Sequence, residues 1–340
     1  MESPDHRIVA APRTETMTAA IQNGYGEAHE VIDISEVPVP TTAPDRVLVR
    51  VAAASINALD WHYMTGTPRF ARLDFGLTSP KRKIPGADIS GTVVAIGDEV
   101  TDLRVGDEVF GDIGGGGFAE YASAKASRLA PKPTNLSLEE SSTLGVAALT
   151  ALQGLRDWGS LQPGQTVLIN GASGGVGTFA VQVAKALGAG HVTGVCSTGN
   201  VETALKLGAD RVIDYTRDDF TSLEDRFDVF FDNAGSKSLG QSRRMLRDNG
   251  VFVMVTGQKG GWIRPADRMF AGAIRSRFWS QRFISRTARA ERSDLLVLKD
   301  MVEAGQVKPV MDRRFSLNES VDALAYQAEG HARGKSVVVP

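Results

Sequence analysis

The sequence predicts an α/β fold in which a doubly wound parallel sheet is joined to a second, β-rich part. From residue 166 onward, short β-favouring runs alternate with apolar-periodic helical runs, the order that parallel strands and crossover helices produce. Before residue 137, short β-favouring runs are separated by Gly and Asp turns, which is typical of barrel-like β structure. A glycine-rich turn at residues 171–177 lies between the first strand and the first helix of the α/β part.

The β-rich part comes first along the chain and shows the alternation of half-buried strands. Its strands are expected at residues 18–21, 46–52, 86–91, 92–97, 105–110 and 118–122. The run of four glycines at 114–117 favours a flexible loop. Ser137 and Glu140 have the spacing of a capping box, which predicts that a helix begins there.

The α/β part follows. Its strands are expected at residues 166–169, 192–196, 211–214, 229–231 and 251–255. Its helices are expected at residues 176–187, 200–207 and 239–246. A further strand within 277–284 and an amphipathic helix at 293–304 come next, and a last strand at 336–339 is expected to return to the β-rich part.

Length, charge and cysteine content narrow the class of protein. A chain of 340 residues can bury a substantial core in two domains. With 38 basic and 40 acidic residues the net charge is −2, which argues against a general nucleic-acid or membrane-surface binder. Cys196 is the single cysteine, so an internal disulfide and a cysteine-based structural zinc site are excluded.

The sequence also bears on location. It has no apolar run of about 18 residues, so no membrane span is expected. Residues 1–16 lack the apolar segment of a secretory signal, and we interpret them as a flexible N-terminal extension. A cytoplasmic protein is therefore expected.

Residues 264–292 carry eight arginines against two acidic residues, with Phe and Trp interleaved. Such a stretch can bind single-stranded nucleic acid through charge and stacking. The preferred interpretation is that the arginines are exposed at an interface while the aromatic side chains line the core or a substrate pocket. A salt-sensitive shift of RNA mobility would support the first alternative.

The glycine-rich turn reads Ala172-x-Gly174-x-x-Gly177, with an additional Gly175. Glycines let the backbone turn sharply and let a pyrophosphate approach without a Cβ atom in the way. The helix that follows directs its free N–H groups and the positive end of its dipole at the phosphates. We therefore expect a dinucleotide to bind at Ala172, Ser173, Gly174, Gly175, Val176 and Gly177.

Several motifs precede this turn in a recognisable order. They are Asn57…Asp60, Pro85-Gly86-Ala87-Asp88, Val105-Gly106-Asp107-Glu108-Val109-Phe110-Gly111 and Gly117-Phe118-Ala119-Glu120-Tyr121. From about residue 18 to its end, the chain resembles the medium-chain dehydrogenase/reductase superfamily, in its zinc-free quinone oxidoreductase (ζ-crystallin-like) branch. The resemblance implies a Rossmann nucleotide-binding domain at 141–286 and a GroES-like catalytic domain formed by 17–140 and 287–340.

Zinc-dependent members of the superfamily hold a catalytic zinc with Cys, His and Cys or Asp. At the matching positions this chain has Asn57, Ala87 and Val146, and residues 111–118 leave no room for the four-cysteine lobe of those members. Amide, methyl and isopropyl groups cannot replace those ligands. The sequence therefore predicts no metal ligands and a metal-free mechanism, and it disfavours a zinc alcohol dehydrogenase.

The choice between NADH and NADPH depends on the end of the second strand. Sites that prefer NAD place an Asp or Glu there, about 20 residues after the glycine turn, to bind the ribose hydroxyls. This chain has small hydroxyl and amide side chains instead, which favours NADPH. Ser197, Thr198 and Asn200 are expected there. The resemblance, or a position directly after a strand, places further residues elsewhere around the cofactor, namely Tyr215, Asn233, Thr256, Arg333 and Lys335.

The resemblance implies hydride transfer from NADPH to a quinone or an α,β-unsaturated carbonyl, a small-molecule substrate. Without a metal, hydrogen-bond donors must stabilise the oxygen that gains negative charge. Asn57 is the first candidate donor, Asp60 is given an orienting role, and His62 can donate a proton. A histidine without a role is an equally open alternative for His62.

Two other functions stay open. A pathway-specific enoyl or keto reductase of a secondary metabolite would use the same site, and a non-catalytic NADPH-binding protein would keep the fold alone. A small panel of quinones and alkenals tested with NADPH distinguishes these alternatives. The superfamily commonly pairs subunits through the nucleotide-binding domain, so a homodimer is implied by the resemblance alone.

Overall fold

The computed structural model of the chain describes residues 15–255, 279–330 and 332–340. These residues form a six-stranded parallel sheet, a seven-stranded mixed sheet and a two-stranded antiparallel sheet. Thr256, residues 1–14 of the expected extension and residues 264–278 of the arginine-rich stretch lie outside the described residues. In the part of the chain that is described, no helix combines the length and the apolar character needed to span a membrane.

Fifteen strands are described, and their bounds are β1 Thr16–Gln22, β2 Ile32–Pro38, β3 Arg46–Ser55, β4 Asp88–Ile96, β5 Glu108–Asp112, β6 Tyr121–Lys125, β7 Ala130–Pro131, β8 Thr166–Asn170, β9 His191–Cys196, β10 Arg211–Asp214, β11 Phe227–Asp232, β12 Leu246–Met254, β13 Arg282–Ser285, β14 Met311–Ser316 and β15 Lys335–Val339. The α-helices in the same ranges are α1 Ala28–Val31, α2 Ala58–Thr65, α3 Arg72–Phe75, α4 Leu138–Ser142, α5 Leu149–Gln153, α6 Gly175–Ala186, α7 Val201–Lys206, α8 Leu239–Arg244, α9 Arg292–Glu303 and α10 Ser320–Glu329. Two π-helical turns, Leu144–Ala148 and Gly154–Trp158, flank α5.

The parallel sheet has the strand order β10-β9-β8-β11-β12-β13, so the chain enters at the centre and winds outward in both directions. Alternate residues of β8 enter two separate cores. Val167 and Ile169 belong to the cluster that contains Phe179 of α6, while Leu168 belongs to the cluster of Phe230 on the opposite face. Burial of both faces explains the continuous apolar run of this strand. The predicted doubly wound sheet is confirmed.

The mixed sheet follows the order β14-β15-β3-β4-β5-β7, with β6 paired to β3. The C-terminal strand β15 runs antiparallel to β3, with Val337 opposite Ser55. The end of the chain therefore returns to the β-rich part, as the sequence predicts. This pairing brings Lys335 beside the residues that follow β3.

Local predictions differ from the structure at element boundaries and in missed elements, which include β2, β14, α5 and α10. The two strands expected within 86–97 are one strand, β4, and the strand expected from residue 105 begins at Glu108. Ser137 caps α4 as predicted, accepting a hydrogen bond from the Glu140 N–H. Helix α2 was not predicted, because its apolar residues do not gather on one face.

Candidate active site

The glycine turn joins β8 to α6 with the geometry that an anion site requires. The backbone N–H groups of Gly171 and Ala172 donate to the Val195 carbonyl at 3.1 and 3.0 Å, which fixes the turn to the neighbouring strand. Gly171 has φ of 84°, a conformation that favours glycine. Gly174 is the N-cap of α6, so the first free N–H groups of the helix follow it directly.

Close packing at the turn explains its last glycine, Gly177. A Cβ atom on Gly177 would lie 2.0 Å from the carbonyl oxygen of Gly171 and 2.8 Å from Cα of Ala172. The start of α6 thus rests directly on the backbone of the turn. The Asn233 amide lies across the turn, with its nitrogen 3.8 Å from the point that a Cβ atom would occupy on Gly174. The structure brings together Ala172, Ser173, Gly174, Gly175, Val176, Gly177 and Asn233 at one edge of the sheet.

The end of β9 forms a second part of this edge. Ser197 is followed by a single 3-10 turn, Thr198–Asn200, and the Asn200 amide donates to the Ser197 hydroxyl at 3.0 Å. The guanidinium of Arg333 reaches this turn from the C-terminal segment, with Nη2 3.9 Å from the Cβ position of Gly199. A cation therefore stands beside the small polar side chains where the sequence predicts a 2′-phosphate.

A carboxylate that sequence reasoning missed also lies here. Asp214 ends β10 opposite Cys196 of β9, and it accepts from the hydroxyls of Thr198 and Thr216 at 2.5 and 2.7 Å. These hydrogen bonds hold the pKa of Asp214 below its usual range. The carboxylate comes from the third strand rather than the second, which is why counting from the glycine turn did not find it. Tyr215, the next residue, is 58% exposed.

The candidate catalytic residues lie at the start of α2. Asn57 is its N-cap, and a capping box is formed with Asp60, whose Oδ2 accepts from the Asn57 N–H at 2.8 Å. Oδ1 of Asp60 accepts from the backbone N–H groups of Gly86 and Ala87 at 3.2 and 3.1 Å. The buried Asp60 carboxylate therefore joins the helix to the segment that leads into β4.

The side chain of Asn57 belongs to a buried polar network. Its Nδ2 donates to Oδ2 of Asp88 at 2.8 Å and to the Ser55 carbonyl at 3.4 Å, while its Oδ1 accepts from the ammonium of Lys335. The Ser55 hydroxyl also donates to Asp88 Oδ2, at 3.0 Å. Oδ1 of Asp88 accepts from the Val146 N–H at 2.8 Å. Asp88 ends the motif Pro85-Gly86-Ala87-Asp88, and the sequence predicts no role for it.

Burial dominates the electrostatics of this network. It raises the pKa of Asp88 to about 7 and that of Asp60 to about 6, although the positive charge of Lys335 acts against both shifts. Burial lowers the pKa of Lys335, and the charges of the two carboxylates oppose that change. The network thus holds a cation and two carboxylates where solvent does not reach.

His62 lies in the second turn of α2 and is half-buried. Its Nδ1 lies 2.8 Å from the carbonyl oxygen of Thr67. Since a carbonyl only accepts, Nδ1 carries the proton, and Nε2 has a lone pair in the neutral ring and a proton in the imidazolium. The ring of Trp61 packs against His62 edge-on, at 5.0 Å between centroids.

Asn57, Ala87 and Val146, which the resemblance aligns with the metal ligands of zinc-dependent proteins, are brought together here. The Asp60 carboxylate accepts hydrogen bonds from the backbone N–H groups of Asn57 and Ala87. The Asp88 carboxylate accepts one from the backbone N–H of Val146. Amide, methyl and isopropyl side chains do not fit zinc. Among residues 15–255, 279–330 and 332–340, no group of three or more His, Cys, Asp or Glu side chains is arranged to hold a metal ion.

Replacing Asp88 by Asn is expected to change how stability depends on pH. The folded pKa of Asp88 is raised to about 7, so the folded state keeps a proton that the unfolded chain loses at about pH 4. The unfolding free energy of the wild type should therefore fall between about pH 4 and pH 7, by on the order of 2–4 kcal/mol from this group. Urea titrations at several pH values measure the slope.

In that comparison the unfolding free energy of Asp88→Asn should fall much less with pH than that of the wild type. The smaller decrease that remains below about pH 6 comes from Asp60. Asp98→Asn, which removes an exposed carboxylate from a turn, is the matched control and should leave the slope unchanged. Equal slopes in the wild type and Asp88→Asn would show that Asp88 is ionised throughout.

Two protein-family models match the chain. Residues 43–134 match the alcohol dehydrogenase GroES-like domain, and residues 207–338 match the family described as zinc-binding dehydrogenase. The second match begins after Asn57, Ala87 and Val146, so it gives no information about metal ligands at these three positions.

Similar proteins cover nearly the whole chain. The 2-methylene-furan-3-one reductase of Solanum lycopersicum is 35% identical over 95% of this chain and 79% of its own length. The chloroplastic NADPH-dependent alkenal/one oxidoreductase of Arabidopsis thaliana is 31% identical over 95% of this chain and 80% of its own length. The structure of a quinone oxidoreductase from Coxiella burnetii superimposes with a TM-score of 0.83 at 29% identity, covering 96% of this chain and 99% of that one.

Proposed function

This chain belongs to the quinone oxidoreductase-like branch of the medium-chain dehydrogenase/reductase superfamily, and we propose that it transfers a hydride from NADPH to a quinone or an α,β-unsaturated carbonyl. That it is an NAD(P)H-dependent oxidoreductase follows from the family. The proposal concerns the acceptor, the preference for NADPH and the residues that act.

One observation carries the proposal. The first residue of α6, Gly175, lies against the side chain of Lys335, with its Cβ position 3.0 Å from Lys335 Cδ. The Lys335 ammonium ends at Asn57, the cap of the helix that bears His62. A phosphate-binding turn and a proton-bearing side chain are thus parts of one continuous arrangement, as transfer of a hydride and a proton to one substrate requires.

Each group has a defined task in this proposal. The N–H groups at the start of α6 hold the pyrophosphate, and the cofactor supplies the hydride when it is bound. Imidazolium His62 donates from Nε2 to the oxygen of the acceptor, which balances the hydride with one proton. Asp60 fixes the helix start. Because the Asn57 amide donates to Asp88 and Ser55, we propose that Asn57 positions this helix.

The test is a steady-state assay of the full chain with NADPH and a panel of quinones, alkenals and cyclic enones. We expect consumption of NADPH that depends on the acceptor, with formation of hydroquinone or of the saturated carbonyl. Turnover of enones alone would narrow the proposal to the unsaturated-carbonyl acceptors. Binding of NADPH without turnover of any acceptor would contradict it and favour a non-catalytic NADPH-binding protein.

Replacing Arg333 by Ala is expected to weaken NADPH binding specifically. Its guanidinium stands beside Gly199, so removing it should raise the Kd for NADPH about tenfold while changing that for NADH by less than about twofold. Fluorescence titration of both cofactors measures the two constants. Arg211→Ala is the matched control, since Arg211 is exposed, begins β10 at the end opposite to Asp214, and pairs with Asp225.

Equal affinities of the wild type for NADPH and NADH would contradict the NADPH preference. The carboxylate of Asp214 provides a second check, because it stands near the same turn. A tighter complex of Asp214→Asn with NADPH would show that this carboxylate faces the 2′-phosphate. A weaker complex with NADH would show that it binds the ribose hydroxyls instead.

Two parts of the proposal rest on the resemblance alone. A homodimer paired through the nucleotide-binding residues is proposed, and sedimentation equilibrium at micromolar concentration tests it. The domain boundaries 17–140 with 287–340 and 141–286 are proposed likewise, and limited proteolysis tests them. A monomer, or cleavage inside these ranges before their boundaries, would contradict these parts while leaving the chemistry unaffected.

A further inference from the structure

The buried ammonium of Lys335 calls for an explanation beyond cofactor binding. The residue is 2% exposed, and its Nζ donates to the Ile56 carbonyl at 2.8 Å and to Oδ1 of Asn57. A lysine is rarely buried unless its charge is compensated. The carboxylates of Asp60 and Asp88 provide that compensation, so the cation belongs to the polar network under α2.

The stem of the same side chain lies on the cofactor turn. At Gly175, the first residue of α6, a Cβ atom would be 3.0 Å from Lys335 Cδ and 3.3 Å from the Gly334 carbonyl. Lys335 therefore passes close over the point where the helix N–H groups become available to a phosphate. A Cβ atom at residue 175 would require Lys335 or the Gly334 carbonyl to shift by a few tenths of an ångström.

The other end of Lys335 lies on the start of α2. Ile56 and Asn57 directly precede this helix, and both accept hydrogen bonds from Nζ. The helix carries His62 in its second turn. A single side chain thus spans from the phosphate-binding turn to the helix that bears the proposed proton donor.

Charge also fixes the orientation of the Asn57 amide. Its oxygen faces the ammonium and its nitrogen faces the Asp88 carboxylate. A flipped amide would place its NH2 group against the ammonium and its oxygen against the carboxylate. Replacing Lys335 by an apolar residue would remove the reason for this orientation. The Asp60 and Asp88 carboxylates would then be buried without a compensating cation.

We propose that Lys335 is a positioning residue that keeps α2, and with it His62, in register with the cofactor bound at the glycine turn. This inference rests on the proposed function, because it takes His62 as the group that meets the acceptor oxygen. It differs from the expectation from sequence, which places Lys335 among the residues that contact the cofactor itself. The two roles predict different kinetics.

The test combines Lys335→Met with His62→Gln. Lys335→Met should lower kcat by about 10- to 100-fold, the effect of misplacing a reacting group by about 1 Å, while the Kd for NADPH stays within about threefold. In the His62→Gln background, the same substitution should lower kcat by less than about threefold, because the residue it positions is already absent. Lys206→Met removes a lysine from a surface pair and is the matched control.

Several outcomes would overturn the inference. A raised Kd for NADPH with unchanged kcat at saturation would make Lys335 a phosphate ligand and leave the proposed function intact. Fully additive losses in the double variant, or full activity of His62→Gln, would show that Lys335 does not act through His62. A wild type that turns over no acceptor refutes the proposed function, and this inference with it. If Lys335→Met does not fold, Lys335→Gln, which keeps a donor near Asn57, replaces it in the same measurements.

Discussion

Gly177→Val is expected to abolish NADPH binding. The first atom of any side chain at this position would lie 2.0 Å from the Gly171 carbonyl oxygen, which belongs to the backbone and cannot rotate away. Relief requires α6 to move off the turn, and the helix N–H groups then no longer converge on a phosphate. The Kd for NADPH should rise at least about 100-fold, or about 3 kcal/mol. Fluorescence titration measures the Kd.

Gly240→Val is the matched control for this change. Gly240 lies in α8, where an added Cβ meets no atom within 4 Å, so NADPH affinity should stay unchanged. Circular dichroism shows whether Gly177→Val keeps its secondary structure, which separates lost binding from lost folding. A folded Gly177→Val protein that binds NADPH within about threefold of the wild type would show that the phosphate does not use this turn.

His62→Gln is expected to lower kcat by about 100-fold, at the lower end of the usual effect of general acid catalysis. Glutamine can still donate a hydrogen bond but cannot deliver a proton to the acceptor oxygen. Since Nδ1–H is held by the Thr67 carbonyl, only the imidazolium carries a proton on Nε2. Steady-state assays of the wild type and the variant with NADPH and an enone measure kcat.

His191→Gln is the control for removing a histidine. His191 begins β9, at the end of the parallel sheet opposite to the glycine turn. Its replacement should leave kcat unchanged. Retention of kcat within about threefold by His62→Gln would favour the alternative that this histidine has no catalytic role.

Local sequence was sufficient to predict the order of strands and helices in the α/β half of the molecule. Strand β8 is apolar on both faces and is followed by glycines and a helix, and each of these features has a local physical cause. The strand at 211–214 was predicted with the observed bounds, because β-branched residues are bounded there by turn residues. The capping box at Ser137 was equally readable.

The helix that carries His62 was harder to predict. Asn57 and Asp60 were singled out through the resemblance, whereas the hydrogen bond from the Asn57 N–H to the Asp60 carboxylate was not anticipated. The short helix has no apolar face, so periodicity gives no signal. The helix that contacts it, α10, was missed as well.

The sequence by itself determined the fold class, the glycine turn between β8 and α6, and the family, because these depend on residues that lie close together along the chain. Only the tertiary structure decided that Lys335 bonds to Asn57 across 278 residues, that Asp88 closes the same network, and that Asp214 stands beside the turn that follows β9. The physical reason is burial. A cation and two carboxylates can stay in the interior only where the sheet pairing of β15 with β3 brings them together, and no local pattern encodes that pairing.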